Sequence, residues 1–427
     1  MIGVGPVPRA DPSQGQSLMG RLRPALLASA ALMVLAVAAC AATPCSPSLS
    51  APTSPAGLNK FYAALDGLKS GTATHPVTVL HLGDSHIALD HMTGVLRQKW
   101  VTLFGDAGRG LPAGVPYPYF SPRGFKVSMT SDWTIVSSLK AGVAGPFGIA
   151  GFRIEASNAT ARISLVSDTP VDGVEIEAYG GPQSGSLSLT LGNAAPLRLS
   201  TRRATPGVVF LRLPAAQVRD VVLMPQGDGP VTLLGWSMLK SGAGLRYDSY
   251  GISGATLDVV SHWDEAIVDE EIARLAPDLI LLGYGTNEGF NDNADVAAYT
   301  RRYEALATRL ERLAPHASIV TLGAVDGARR ARPADRQTCG DGFAVPPKLA
   351  VLREAQRGVM RARGHGFVDL SAAMGGPCGI SQWVQADPPL AWPDHVHLRK
   401  SGAETVGRFL WHQLMQPFET AVCLSSH

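Results

Sequence analysis

The chain has 427 residues, 45% of them hydrophobic and 17% charged, with a formal net charge of +2. This describes a folded protein long enough for two domains, and the near-neutral charge excludes a polyanion as its natural partner. No basic stripe or nucleic-acid module occurs, and 46 Gly with 31 Pro suit a loop-rich α/β plus β protein.

Residues 1–42 read as a secretory targeting segment. Arg21 and Arg23 precede the apolar run from Ala25 to Ala39, which ends in small residues around Cys40. The run is short for a membrane span, and Met19 is a better start than Met1 because it puts both charges at the front. Two processing outcomes fit. Val37-Ala38-Ala39-Cys40 resembles a bacterial lipobox, in which Cys40 is lipidated; ordinary signal cleavage near Ala39 to Ala42 is the other. Contact with a membrane is expected only through such a lipid. Residues 43–56, rich in Ala, Pro, Ser and Thr, then read as a linker.

Residues 57–105 open an α/β domain. A short helix leads to Val77–Leu82, an apolar run of strand length that Gly83-Asp84 breaks. Ile87, Val95, Leu96, Trp100 and Leu103 then recur at helical steps, predicting a helix over 87–104. A Gly/Pro/Tyr-rich passage follows. Over 106–245 the pattern turns to short alternating runs: 152–156, 161–166, 174–179, 186–191, 208–213, 221–224 and 231–239. Many short strands without a convincing helix predict a β-sandwich of jelly-roll type. From 246 to 420 the α/β rhythm returns. Strands are expected at 246–251, 278–285, 318–322 and 366–370, with helices at 257–275, 294–313, 346–363 and 401–415. Such alternation implies a three-layer domain around a parallel sheet, interrupted by the β-rich block at a surface connection.

The candidate chemistry sits in loops after strands. Ser85 stands on the turn between the first strand and its helix, where a hydroxyl is lifted out at the carboxyl end of a sheet. Near the C-terminus, Trp392-Pro393-Asp394-His395-Val396-His397 places an Asp three residues before a His. Asp394 accepts the Nδ1–H of His397 in such a loop and leaves Nε2 as general base for a serine. His395 reads as a solvated loop residue pointing the other way. His81, His86 and His91 flank the serine but are poorly placed to reach over its hydroxyl, and Asp84, adjacent on the turn, is no orienter for the base. Gly254, in Gly-Ile-Ser-Gly-Ala-Thr, lets a backbone N–H approach a ligand, and Asn287, in Gly-Thr-Asn-Glu, offers an amide donor. With the N–H of Ser85 these form a candidate oxyanion hole, each donor worth ~10²–10³ in rate.

No cysteine or histidine spacing suits a metal, and no cofactor is expected. In an oxidising compartment, Cys339 and Cys378, both in Gly-rich loop sequence, are the expected disulfide; Cys45 with Cys423 is a further pairing.

These four ordered blocks, with Gly83-Asp84-Ser85, Gly254, Asn287 and the Asp394/His397 pair, resemble those of the SGNH (GDSL-type) serine hydrolases. The resemblance covers residues 75–104 and 246–415. It implies a flavodoxin-like sheet and an esterase with Ser85 as nucleophile, His397 as base, Asp394 as its orienter, and Ser85, Gly254 and Asn287 as oxyanion donors. Two positions depart from the family: His86 where many members have Leu, and Glu288 where Asp is usual. A β-domain inserted into a secreted hydrolase of this kind is similar to the periplasmic peptidoglycan O-acetylesterases, whose insert resembles a carbohydrate-binding module. That likeness implies an O-acetylated polysaccharide as partner, with the C6 acetyl of N-acetylmuramic acid as the group removed. An O-acetyltransferase of the same fold and an inactive polysaccharide-binding protein are the alternatives. Tyr117, Tyr119, Phe120, Trp133 and Trp236 offer either stacking faces for sugars or sandwich core.

Overall fold

The computed structural model describes residues 57–140 and 142–425. The targeting segment, Cys40, the linker and Cys45 lie outside them. The α/β part is built on a five-stranded parallel sheet: β1 (Val77–Gly83), β2 (Leu245–Gly251), β3 (Leu279–Gly283), β4 (Ser318–Gly323) and β5 (Gly366–Asp369), in the order β2-β1-β3-β4-β5. This is the flavodoxin-like order, whose switch point lies between β1 and β3. β1 is buried along its whole length because helices cover both faces of the sheet. Val77 and Val79 face one layer with α1 (Asn59–Lys69), α2 (Met92–Phe104) and α6 (Lys400–Ser425). Leu80 and Leu82 face the other, with α3 (Glu265–Leu275), α4 (Val296–Leu313) and α5 (Leu349–Ala362). The period of two along the strand thus divides one apolar run between two cores.

Two of the predicted helices are broken. The first splits into a single turn, Ser85–Ala88, and α2, separated at Leu89–His91. The segment 257–275 splits into a 3₁₀ turn over Leu257–His262 and α3. Asp264 starts α3 afresh by accepting from the N–H groups of Ala266 and Ile267, a side-chain cap that periodicity alone does not register.

The inserted block forms an antiparallel nine-stranded sheet. Two pairs of predicted short strands are in fact single long ones, Ile163–Gly180 and Gly207–Pro225. Their pairing slips between Val166 and Gly173, so the apparent turn at Asp168-Thr169-Pro170 is an irregularity within a continuous strand. Both halves feed one core. Ile163, Leu165, Leu187 and Val221 from one end pack with Val174, Ile176, Leu233 and Met238 from the other. The result is sandwich-like, but two strands run through both layers instead of being joined by loops.

Among the described residues, no helix is long and apolar enough to cross a membrane.

Candidate active site

Parallel pairing in register sets Gly251, Gly83 and Gly283 side by side at the carboxyl ends of β2, β1 and β3. Each strand then turns, and the functional candidates follow within a few residues: Gly254, Ser85 and Asn287. Gly83 is required by crowding. A Cβ there would stand 2.5 Å from both the Gly283 carbonyl oxygen and Ile87 Cγ1. Asp84 caps the short turn that follows, accepting from the His86 N–H at 2.9 Å, and Ser85 is its first residue.

The fourth block lies on a closed loop. Ala391 bridges Leu398, and the Trp392 N–H donates to the His397 carbonyl at 2.8 Å. Asp394 holds the turn by accepting from the N–H groups of Val396 and His397 with Oδ1. Its other oxygen lies 2.8 Å from His397 Nδ1, and His397 Nε2 lies 3.2 Å from Ser85 Oγ. A carboxylate only accepts, so Nδ1 carries the proton and Nε2 is free to take one from the serine. Burial would raise the Asp394 pKa, but the N–H groups of His397 and Val396 hold it below the usual range.

Gly254 has φ of +83°, a left-handed conformation suited to glycine, and nothing stands within 4 Å of where its Cβ would be. Asn287 is fixed beside it: its Nδ2 donates to the Ala255 carbonyl at 2.7 Å. An amide has a second N–H, which among the described residues has no protein acceptor. Glu288 ties the same two loops by accepting from the Leu257 N–H at 2.6 Å. Burial pushes its carboxyl up to about 7.

The remaining histidines divide by environment. His81 is fully buried, in a 2.6 Å contact with the Tyr247 hydroxyl, and burial pushes it down to about 3. It is a neutral core residue. His91 caps nothing and sits half-buried at the start of α2. His395 does point away from His397, yet it is not solvated: it is buried, with Nε2 3.0 Å from Asp341. Sequence reading missed this because Asp341 is 54 residues away. His86 bridges the serine turn to the His397 loop, a role no local pattern indicates. Its ring lies nearly parallel to that of His397, with centroids 6.0 Å apart.

Beside Ser85 and His397 is a hollow of about 20 Å³, lined otherwise by His86 and the apolar Leu89, Met92, Val325, Leu398 and Ala403. It holds about one water-sized group. Cys339 and Cys378 form a disulfide behind this loop, with S–S 2.02 Å. Among the described residues, no group of three His, Cys, Asp or Glu side chains is placed to hold a metal. Trp133 and Trp236 are core, whereas Tyr119 is exposed and packs on Tyr117 at 4.7 Å.

Residues 226–404 match the family model described as the GDSL-like lipase/acylhydrolase family. The chain carries a GDSL-type acylhydrolase domain. It is therefore an enzyme of the carboxylic ester hydrolase class. The match takes in Gly254, Asn287, Asp394 and His397 but begins after Ser85, which the insert separates from them in sequence and the sheet returns to them in space. A solved structure described as a peptidoglycan O-acetylesterase superposes on 84% of this chain and 96% of its own, with TM-score 0.71 and 21% identity. At that identity the likeness establishes the shared fold. A family two carbohydrate esterase from Cellvibrio japonicus is 13% identical, covers 69% of this chain and 98% of its own, and has TM-score 0.28. A relative from Clostridium thermocellum, solved with cellohexaose, is 12% identical, covers 62% and 95%, and has TM-score 0.29. No curated protein sequence matches the chain.

Proposed function

We propose that this acylhydrolase removes O-acetyl groups from a cell-envelope polysaccharide, with the C6 acetyl of N-acetylmuramic acid in peptidoglycan as its substrate. The observation that carries the reading is the chain of contacts from Asp394 through His397 to Ser85, opening on a hollow of about 20 Å³. The apolar lining beside the nucleophile suits the methyl of an acetyl group.

In this reading Ser85 Oγ attacks the acetyl carbonyl while His397 Nε2 takes its proton. The negative charge that develops on the carbonyl oxygen is met by the N–H of Ser85, the N–H of Gly254 and the Asn287 side chain. The bond from the acyl carbon to the sugar oxygen then breaks, and His397 returns the proton to that oxygen. Water, deprotonated by the same imidazole, attacks the acetyl-serine and releases acetate.

Two features support a glycan as the leaving group. The similar solved structure is a peptidoglycan O-acetylesterase by description. The insert also brings aromatic surface to the catalytic turn: the Tyr117 hydroxyl donates to the Ala88 carbonyl at 2.8 Å, and the exposed Tyr119 packs at a tilt against Tyr117. Aromatic faces of this kind bind the apolar faces of sugars. The segment before residue 43, with Arg21, Arg23 and its apolar run, supports action in the bacterial periplasm or cell envelope, with or without a lipid at Cys40.

The test is acetate release by the purified protein from O-acetylated peptidoglycan, beside acetylated xylan and acetylated alginate. Preferential release from peptidoglycan is expected, with Ser85→Ala reducing it to background. Equal activity of Ser85→Ala on any acetyl ester sinks the assignment, and preference for xylan or alginate moves the substrate.

A further inference from the structure

His86 touches both elements that carry the site. Its Nδ1 is 3.2 Å from Asp84 Oδ1, and its Nε2 is 3.1 Å from the Val396 carbonyl oxygen. Both partners are acceptors. Burial pushes the Asp84 carboxyl up, but its interactions with His86 outweigh this and hold it below the usual range, so it is ionised. A carbonyl has no proton to give. A neutral imidazole carries one N–H, so it would satisfy one of these oxygens and aim a lone pair at the other. The imidazolium donates to both.

We propose that His86 is a positioning residue that works in its protonated form, stapling the serine turn to the loop that bears His397. The inference rests on the reading of Ser85 and His397 as nucleophile and base. Val396 directly precedes His397, so the staple fixes the imidazole against the hydroxyl. The 3.2 Å separation of His397 Nε2 from Ser85 Oγ is at the long end of a productive contact and leaves little room for drift. The charged and titratable groups around His86 are Asp84 on its own turn and Asp394 and His397 on the opposing loop. The other lining residues of the hollow, Leu89, Met92, Val325, Leu398 and Ala403, bear no charge.

Burial disfavours charge on His86, but Asp84, the Val396 carbonyl and Asp394 outweigh it, and the His86 pKa is raised. The sign follows. The staple is complete below the ordinary histidine value of about 6.5 and is lost as pH rises through the higher folded value.

The experiment uses the protein with ¹⁵N-labelled histidine. Both ring nitrogens of His86 are expected to be protonated at pH 6 and to lose the second proton only above the ordinary histidine value of about 6.5; a single ring N–H at pH 6 overturns the proposal. In parallel, His86→Gln is expected to lower kcat on a small acetyl ester by ~10–100-fold, the cost of misplacing a catalytic group by about 1 Å. The fall in kcat that accompanies His86 deprotonation in the parent is expected to be missing from the variant's pH profile. A variant with parental kcat and pH profile overturns the proposal. Ser85→Ala, assayed alongside, separates the two readings. If it is as active as the parent, the assignment of nucleophile fails, and the ring protonation still decides the state of His86.

Discussion

His395 lies flat against Phe343, ring centroids 3.5 Å apart and planes within 13°, while the chain two residues on turns His397 toward Ser85. One loop therefore uses two histidines in opposite directions. His395 is the anchor: its ring nitrogens lie 3.0 Å from the Pro393 carbonyl oxygen and 3.0 Å from Asp341, and its carbonyl accepts from the Ala328 N–H. Its φ of 58° is strained for a residue with a Cβ, and the packing on Phe343 and Asp341 maintains it.

Asp394→Asn tests the orienting carboxylate. The amide keeps the size of the side chain but presents N–H or a neutral oxygen to His397 Nδ1, which favours the wrong tautomer. A fall in kcat of ~10²–10⁴ is expected on a small acetyl ester, with the fold intact by circular dichroism. Parental kcat would show that His397 needs no orienter.

The disulfide anchors the segment on which His395 leans, since the Cys339 N–H donates to the Phe343 carbonyl at 2.8 Å. Cys339 and Cys378 are 39 residues apart, and closing a loop of that size restricts the unfolded chain by about 4 kcal/mol in the chain-entropy account. Cys339→Ser with Cys378→Ser is expected to lower the urea midpoint accordingly and to reduce kcat, because Phe343 loses its support. An unchanged midpoint would contradict this.

Glu288 predicts a pH dependence of stability. Its carboxyl is pushed from an ordinary 4.5 to about 7 by burial, and its Oε2 has no partner among the described residues. A group whose folded value is raised contributes fully below its unfolded value and loses that contribution as pH rises through the folded one. Stability is thus expected to fall by at most about 3 kcal/mol between pH 4.5 and about 7 on this account. Glu288→Gln should flatten that part of the stability curve, measured by urea unfolding at stepped pH.

Asp90 makes the opposite case. Burial alone would raise it, but Arg109 and Arg97 hold its carboxyl well below the usual range. It accepts from Arg97 through both oxygens at 2.8 Å and from Arg109 at 2.9 Å, and the latter comes from the insert. Asp90→Asn leaves two poorly hydrated guanidinium groups without their counter-charge. A loss of ~3–5 kcal/mol is expected in denaturant unfolding.

Much of this architecture is legible because it follows from local pattern. β1 and β3 announce themselves as apolar runs ending in glycine, and the Asp394/His397 spacing carries its own geometry. What is not legible depends on partners distant in sequence. The break after Ala88 follows from Asp90 being drawn to Arg109 and the Arg123 N–H. His395 has no local sign of burial, since its neighbours Asp341 and Phe343 belong to another loop. The long strands Ile163–Gly180 and Gly207–Pro225 look broken because Pro and Gly mark both turns and bulges. His86 reads as a flanking histidine poorly placed to act as base until the Val396 carbonyl is seen opposite it.

The insert leaves and rejoins the hydrolase at one point. The Leu245 N–H donates to the Gly105 carbonyl at 2.9 Å, and the Ala107 N–H donates to the Leu245 carbonyl at 3.1 Å. A few residues would bridge that gap, so topologically the hydrolase is complete without its β-domain. Energetically it is not. Excision would strip Asp90 of Arg109 and Asp248 of the Gly110 N–H, leaving Arg97 and Arg246 as their remaining partners at the seam. A minimal hydrolase cut from this chain would therefore keep one arginine on each acid and lose the insert's share of their hydrogen bonds.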